Sequence, residues 1–233
     1  VAQAYGPSLS TPEASVPRPA DMGPMHDVVQ PSRHDTLKLP QLHVADHPLV
    51  TALVARLRDS RTEGPAFTHT IEEITRFLLW QALADAVTPS VEVTGYDGRR
   101  VIGRGLPTDI AALVLLRAGL SMAPAVTALI PGTPIYHVGV RRDEATLQPS
   151  VYATNLPARA DMIRHLLILD PMLATGGSAL AALRRARAVF AGPVTFIGII
   201  GAPLGAMRLG HHDRAVTIHL AALDDGLDSR GYI

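Results

Sequence analysis

The sequence contains no cysteine among its 233 residues. Disulfide bonds and metal sites built on thiolates are therefore excluded. Aromatic residues make up only 4% of the chain, whereas hydrophobic residues make up 47%. A core must therefore be built mainly from alanine, leucine, valine and isoleucine.

The chain also lacks an excess of charge of either sign. Lysine and arginine total 21, aspartate and glutamate total 21, and the formal net charge at pH 7 is zero. This balance gives no bulk attraction to nucleic acid or to an anionic membrane, so neither is an expected partner. No apolar run approaches the roughly 20 residues of a membrane span, and no signal-peptide pattern opens the chain. We expect a soluble cytoplasmic protein.

Proline divides the chain into two parts. Seven prolines lie in residues 1–40, at positions 7, 12, 17, 19, 24, 31 and 40. This spacing prevents a long helix and predicts a disordered or loosely docked N-terminal arm. Residues 41–233 are expected to form one domain.

Apolar periodicity predicts the secondary structure of that domain. Leu49, Leu53 and Leu57 mark the buried face of a helix that begins at about residue 47, and a second helix is expected over residues 70–86. Alternating residues around Asp97-Gly98 predict a β-hairpin. Further helices are predicted at Ala123–Leu129, Ser178–Phe190 and Leu204–Leu209. Apolar strands are predicted at Ala111–Leu116, Pro134–Val140, Leu166–Leu169, Val194–Ile200 and Thr217–Leu220. Strands alternating with helices indicate an α/β fold with a parallel sheet covered on both faces.

One segment, "LLILDPMLATGGSALAALRRA" at residues 166–186, has the pattern of a ligand-binding loop. An apolar strand ends at Asp170, a short loop follows, and an alanine-rich helix begins near Ser178. Gly176 and Gly177 let the backbone approach a ligand closely, and the helix N-terminus favours an anion. The hydroxyls of Thr175 and Ser178 add donors. The Asp170 carboxylate cannot bind phosphate, but it can accept hydrogen bonds from sugar hydroxyls. The pattern therefore predicts a sugar-phosphate site.

This segment resembles the loop that binds phosphoribosyl pyrophosphate (PRPP) in the uracil phosphoribosyltransferases, and Pro171 is a mark of that family. "LLRAGLSM" at residues 115–122 is similar to the family's "ILRAGLGM", and "GVRRDEATLQP" at residues 139–149 is similar to "GMYRNEETLEP". The resemblance extends from about Val44 to the end of the chain. It implies a type I phosphoribosyltransferase fold, in which helices flank a parallel sheet and a small β-hairpin forms a hood.

The resemblance also implies roles for individual residues. Arg117, Arg142 and Asp170 would be the catalytic residues, and they would bind PRPP together with Pro171, Met172, Leu173, Ala174, Thr175, Gly176, Gly177 and Ser178. Mg²⁺ would be carried on PRPP, with no ligand set of the protein's own. A GTP effector and a homodimer or larger homo-oligomer are further expectations from the family.

The sequence departs from the family pattern at several positions, which indicates a divergent member. Ser121 replaces a small glycine, Val114 a proline, Leu204 a glutamate and Arg141 a tyrosine. Four histidines (His137, His165, His211 and His212) lie on no family motif, and we expect them to be structural or solvated.

The segment that follows "GYI" in the family is a loop containing Gly-Asp-Ala, which recognises uracil. Here Ile233 matches a uracil-contacting position, and the loop has no counterpart in the sequence. Three explanations are open: a fragment of an active uracil phosphoribosyltransferase of pyrimidine salvage, a paralogue that uses another acceptor base, or a non-catalytic PRPP- or nucleotide-binding regulator. A dinucleotide-binding module is disfavoured because "GGSALAALRRA" lacks the third glycine of that motif.

Overall fold

The computed structural model describes residues 32–142, 149–228 and 231–233. Its helices are α1 (Arg33–Thr36), α2 (Pro48–Arg58), α3 (Gly64–Ala82), α4 (Ala123–Leu129), α5 (Gly177–Arg187) and α6 (Pro203–His212). Its strands are β1 (Leu42–Val44), β2 (Ser90–Thr94), β3 (Arg100–Arg104), β4 (Ile110–Leu116), β5 (Ile135–Arg142), β6 (Pro149–Thr154), β7 (His165–Leu169), β8 (Met172–Leu173), β9 (Val194–Gly201) and β10 (Val216–Leu223).

A parallel sheet forms the centre of the domain, as the sequence predicts. Its strands follow the order β1-β10-β9-β7-β4-β5-β6, and the short β8 pairs with β9. Among the described strands of this sheet, only β6 runs antiparallel to its neighbour, β5. Strands β2 and β3 form a separate antiparallel hairpin, which confirms the prediction made from Asp97-Gly98.

The sheet is buried on both faces, which explains its continuous apolar strands. Leu113 and Val114 are adjacent in β4 and both fully buried, yet they belong to two different core clusters. Leu183 of α5 packs in the cluster of Leu113, and Leu78 of α3 packs in that of Val114. The central strands are therefore fixed by helices on each side, and their carboxyl ends are held in register.

The prediction of the buried face of α2 is wrong for Leu49 only, because Leu53 and Leu57 are half-buried against the core. Leu49 is 68% exposed, whereas Val50 and Val54 are buried at 2% and 6% exposure. Both sets have the spacing of one helix face, so periodicity alone could not choose between them. The choice follows from packing, since α2 lies against β10 and α3.

Three other helices differ from prediction in their ends, and one of them, α6, continues to His212 rather than ending at Leu209. Helix α3 begins at Gly64 rather than at residue 70, and Pro65 fits the first turn of a helix. The exposed residues of the first turns show no apolar pattern, so the sequence did not predict this start. It ends at Ala82 rather than at residue 86. Helix α5 ends at Arg187, three residues before the predicted Phe190, which packs into the core instead.

Part of the predicted N-terminal arm packs on the domain. Residues 1–31 of that arm lie outside the described residues. From Ser32 onwards the chain forms α1, in which Thr36 is fully buried and its hydroxyl donates to the Ser32 carbonyl over 2.9 Å. The side-chain amide of Gln41 then donates to the Gly210 carbonyl of α6 over 2.8 Å. Residues 32–40 therefore correspond to the docked alternative of the predicted arm, and the division of the chain at residue 40 stays a prediction.

No helix in the described ranges is both long and apolar enough to cross a membrane.

A pair of stacked histidines joins β1 to β10. The rings of His43 and His219 lie 4.7 Å apart between centroids, at an interplanar angle of 17°. The Nδ1 atom of His219 is buried and has no hydrogen-bond partner within the described residues. Burial, with smaller contributions from His43 and His165, lowers the pKa of His219 to about 4.

This histidine is expected to make the fold sensitive to acid. An unfolded histidine takes up a proton below pH 6.5, whereas folded His219 does so only near pH 4, so stability falls as the pH drops through this window. Between pH 7 and pH 5, the free energy of unfolding should fall by up to about 2 kcal/mol less in His219→Leu than in the wild type. Urea unfolding at the two pH values measures this, with the exposed His211→Ala as control. An unchanged difference between the two pH values in His219→Leu would contradict the prediction.

Candidate functional site

The three residues expected to be catalytic follow three neighbouring strands. Asp170 comes directly after β7, Arg117 directly after β4, and Arg142 is the last residue of β5. These strands are consecutive and parallel in the sheet. The fold therefore brings all three residues to one edge of the sheet, where open α/β sheets bind ligands. For Arg142 only the backbone is described.

The turn after β4 packs directly on the end of β7. Arg117 is exposed and begins a 3₁₀ turn at Ala118–Ser121, after a cis peptide bond between Leu116 and Arg117. A Cβ atom on Gly119 would lie 2.5 Å from the carbonyl oxygen of Leu169. Only glycine allows this approach, which places the start of the arginine motif beside the strand that carries Asp170.

Hydrogen bonds from β9 and from the residue before α6 hold the loop after Asp170. The Pro171 carbonyl accepts hydrogen bonds from the amides of Ile199 and Ile200, each over 3.0 Å, and the Leu173 carbonyl accepts one from Ala202 over 2.9 Å. These bonds extend the parallel pairing through β8. Predicted site residues Pro171, Met172 and Leu173 therefore form the scaffold of the loop, and Leu173 is itself buried in the core.

The end of the loop presents unpaired donors. Gly176 has a φ of +79°, which favours glycine, and it precedes α5 without a side-chain cap. Within the described residues, neither the Gly176 amide nor the hydroxyls of Thr175 and Ser178 have a hydrogen-bond partner. Together with the first-turn amides of α5, these groups can surround an anion of the size of a phosphate.

Asp170 is a partly buried carboxyl group at the base of this loop. Burial raises its pKa to about 7, although a hydrogen bond from the Met172 amide opposes the shift. A ligand that donates hydrogen bonds or brings positive charge would favour the ionised form. Asp170 is thus suited to hold neutral hydroxyl groups next to a bound phosphate.

Comparison with known proteins identifies the family. A family model described as "Uracil phosphoribosyltransferase" matches residues 44–233. The uracil phosphoribosyltransferase of Roseiflexus castenholzii is 40% identical over 197 residues, which cover 83% of this chain and 92% of that protein. The chain belongs to the uracil phosphoribosyltransferase family.

Solved structures agree with this membership. The AQ2163 protein from Aquifex aeolicus superposes with a TM-score of 0.74 at 30% identity, over 82% of this chain and 91% of that one. Adenine phosphoribosyl transferase from Trypanosoma brucei, at 15% identity and a TM-score of 0.50 over 84% of this chain and 89% of that one, shares the fold. The expected type I phosphoribosyltransferase fold and the resemblance to the uracil phosphoribosyltransferase family are confirmed.

One contact at the loop of this uracil phosphoribosyltransferase family member was missed by sequence reasoning. The guanidinium of Arg208, in α6, donates from Nη1 to the carbonyl of Thr175 over 3.2 Å. Gly205, one turn earlier, would place a Cβ 2.5 Å from the Ala174 carbonyl oxygen. Neither residue lies in a phosphate-binding motif, and the sequence alone could not place α6 against the loop.

Ile233 lies beyond the carboxyl end of β10. It follows a turn in which the Gly231 amide donates to the Asp228 carbonyl over 2.9 Å and the Tyr232 amide donates to the Asp228 carboxylate over 2.9 Å. Strand β10 ends at the same edge of the sheet as β7. Ile233 is half-buried there, and its role in uracil binding stays a prediction.

The described residues hold no cluster of three or more histidine, aspartate or glutamate side chains that could bind a metal ion. Among the residues that the structure describes, Asp170 is the only carboxyl group that the contacts above place at the loop. One carboxylate beside an anion site fits a divalent cation that arrives with phosphate oxygens as its main ligands.

Proposed function

We propose that this protein transfers the phosphoribosyl group of PRPP to uracil, giving UMP and pyrophosphate in pyrimidine salvage. The observation that carries the proposal is the juxtaposition of Asp170 with an uncapped helix N-terminus in a member of the uracil phosphoribosyltransferase family. A phosphate group and sugar hydroxyls on one ligand satisfy both parts of this site. The acceptor, uracil, is proposed from the relatives, which are uracil phosphoribosyltransferases.

Different residues bind different parts of the substrate. The amides of Gly176 and Gly177 and the hydroxyls of Thr175 and Ser178 bind the 5′-phosphate, and Asp170 accepts hydrogen bonds from the ribose hydroxyls. Arg117 and Arg142 bind the pyrophosphate, since guanidinium groups pair well with phosphate oxygens. With both ends held, the anomeric carbon is fixed for attack.

The reaction is a substitution at the anomeric carbon. The bond from that carbon to the pyrophosphate oxygen breaks as a bond to N1 of uracil forms, and the N1 proton passes to the departing pyrophosphate or to solvent water. Negative charge grows on the departing pyrophosphate, where the two arginines stabilise it. The ionised Asp170, close to the ribose ring, favours the positive charge that develops on the sugar.

Magnesium would be held by the pyrophosphate oxygens of PRPP, where it would neutralise charge on the leaving group. The residues that we assign to this part of the substrate are Asp170, Arg117 and Arg142. A GTP effector and assembly into a homo-oligomer are further family properties that we carry as proposals for this chain.

A turnover assay with PRPP, Mg²⁺ and several bases tests the proposal. We expect UMP and one equivalent of pyrophosphate with uracil, and far slower reaction with cytosine, hypoxanthine and orotate. Arg117→Ala should lower kcat/KM by about 100-fold, because a charged group is lost from the leaving-group site. Faster turnover with another base would make this a paralogue with a different acceptor. PRPP binding without turnover of any base would replace the enzyme by a PRPP-binding regulator.

A further inference from the structure

Arg208 lies on α6, outside every segment that resembles a phosphate-binding motif. Its Nη1 atom donates to the Thr175 carbonyl over 3.2 Å, and its side chain is half-buried. Arg208 is one turn of helix after Gly205, which touches the same loop through the Ala174 and Leu173 carbonyls. Two residues on one face of α6 therefore contact the loop in succession.

The bond made by Arg208 fixes the orientation of a peptide group. The carbonyl of Thr175 and the amide of Gly176 belong to the same planar, trans peptide unit, so they point in opposite directions. When Arg208 holds the carbonyl on the side of α6, the Gly176 amide faces away from α6. Gly176 has a positive φ and lacks a Cβ, so without this bond its peptide could rotate at little cost.

The positive charge also polarises this peptide. A carbonyl that accepts a hydrogen bond from a guanidinium makes the amide of the same peptide a stronger donor. That amide has no partner within the described residues. The charge of Arg208 and the orientation that it imposes on the peptide therefore both act on the Gly176 amide.

We propose that Arg208 is a positioning residue for the 5′-phosphate, acting through the Thr175–Gly176 peptide and not by contact with the ligand. The proposal rests on the function proposed above and adds to it a residue that sets the affinity for the ribose 5-phosphate part of PRPP. It requires that Arg208 affects binding of the ribose 5-phosphate part of PRPP and leaves the pyrophosphate part unchanged, because pyrophosphate is assigned to Arg117 and Arg142.

Calorimetry on the full chain with Mg²⁺ tests this, with ribose 5-phosphate, pyrophosphate and PRPP as separate ligands. Arg208→Gln should weaken ribose 5-phosphate and PRPP about tenfold, as expected for a lost charge-assisted hydrogen bond. Its pyrophosphate affinity should stay within twofold of wild type. Arg208→Lys, which keeps a charged donor, should recover part of the loss. The control Arg185→Ala removes an exposed arginine from α5 and should leave all three affinities unchanged.

The outcomes separate this inference from the proposed function. Equal weakening of ribose 5-phosphate and pyrophosphate in Arg208→Gln, or no weakening of either, overturns the positioning role. A lower melting temperature with unchanged affinities shows a structural role only and also overturns it. If the wild type binds ribose 5-phosphate but converts no base, the proposed function fails, while a selective loss in Arg208→Gln still supports the inference. If the wild type binds neither ligand nor PRPP, both fail.

Discussion

Asp170→Asn is expected to lower kcat/KM with PRPP by about 100-fold, because the substitution removes the charge that favours a positively charged sugar in the transition state. The amide of asparagine can still accept one hydrogen bond from a ribose hydroxyl, so binding should weaken less than turnover. The variant should keep the fold, because the side chain of Asp170 is only partly buried and the bond from its amide to the Ile197 carbonyl is retained. The asparagine side-chain oxygen can also still accept the hydrogen bond that the Met172 amide donates to the Asp170 carboxyl.

The same substitution should stabilise the empty protein at alkaline pH. Burial raises the pKa of Asp170 to about 7 in the folded state, against about 3.9 in an unfolded chain. The stability contributed by the folded, protonated carboxyl is complete below pH 4 and is lost as the pH rises to about 7. Above that pH the wild type holds a buried charge that the asparagine variant does not.

Thermal unfolding at pH 8 and pH 4 measures this effect. We expect the variant to melt a few degrees higher than wild type at pH 8, equivalent to about 1–3 kcal/mol after allowance for partial exposure. At pH 4 the two melting temperatures should agree. A gain of stability joined to a loss of activity would mark Asp170 as a residue kept for function. Near-wild-type turnover, or a lower melting temperature at pH 8, would contradict the assignment.

PRPP binding should show the converse pH dependence. Ribose hydroxyls donate to the ionised carboxylate, so binding lowers the pKa of Asp170 and releases a proton near neutral pH. Affinity for PRPP should therefore increase from pH 6 to pH 8 in the wild type. The increase should be smaller in Asp170→Asn, because that variant has no proton to release.

The sequence predicted the parallel sheet because, in its strands, the local sequence pattern and burial in the folded domain favour the same extended conformation. Residues 111–116 and 194–200 are continuous apolar runs, and such runs are stable only between two layers of helices. The loop after Asp170 was predictable for the same reason, since a strand, two glycines and a helix leave little choice of geometry. The order of strands brings Arg117 and Arg142 to the same edge of the sheet as this loop, and their role in binding PRPP stays a prediction.

Other features depended on contacts between distant parts of the chain. The strands β1 and β6 are short or exposed, and their residues show no clear alternation. Their pairing with β10 and β5 decides their conformation. The choice of Val50 over Leu49 on α2, and the placement of Arg208 against Thr175, likewise follow from packing between elements. No local pattern in the sequence distinguishes them.

Helix α6 is expected to hold the loop after Asp170 in place through Gly205. A Cβ atom on Gly205 would lie 2.5 Å from the Ala174 carbonyl oxygen and 2.7 Å from that of Leu173. Both contacts are with backbone, so no side-chain rotation can relieve them. In Gly205→Ala either α6 or the loop must move, and the loop is the shorter and less buried of the two.

Gly205→Ala should therefore impair both stability and PRPP binding. Overpacking of this kind costs about 1–3 kcal/mol, which corresponds to a melting temperature lower by about 3–10 °C in a domain of this size. A displacement approaching 1 Å at the loop should weaken PRPP binding by about tenfold or more. Gly103→Ala, in β3, is the matched control, because its nearest atom lies 4.0 Å from the added Cβ, and it should change neither quantity. Since α6 and the loop pack through this glycine, an alanine variant with wild-type melting temperature and PRPP affinity would show that the loop does not depend on α6 for its position.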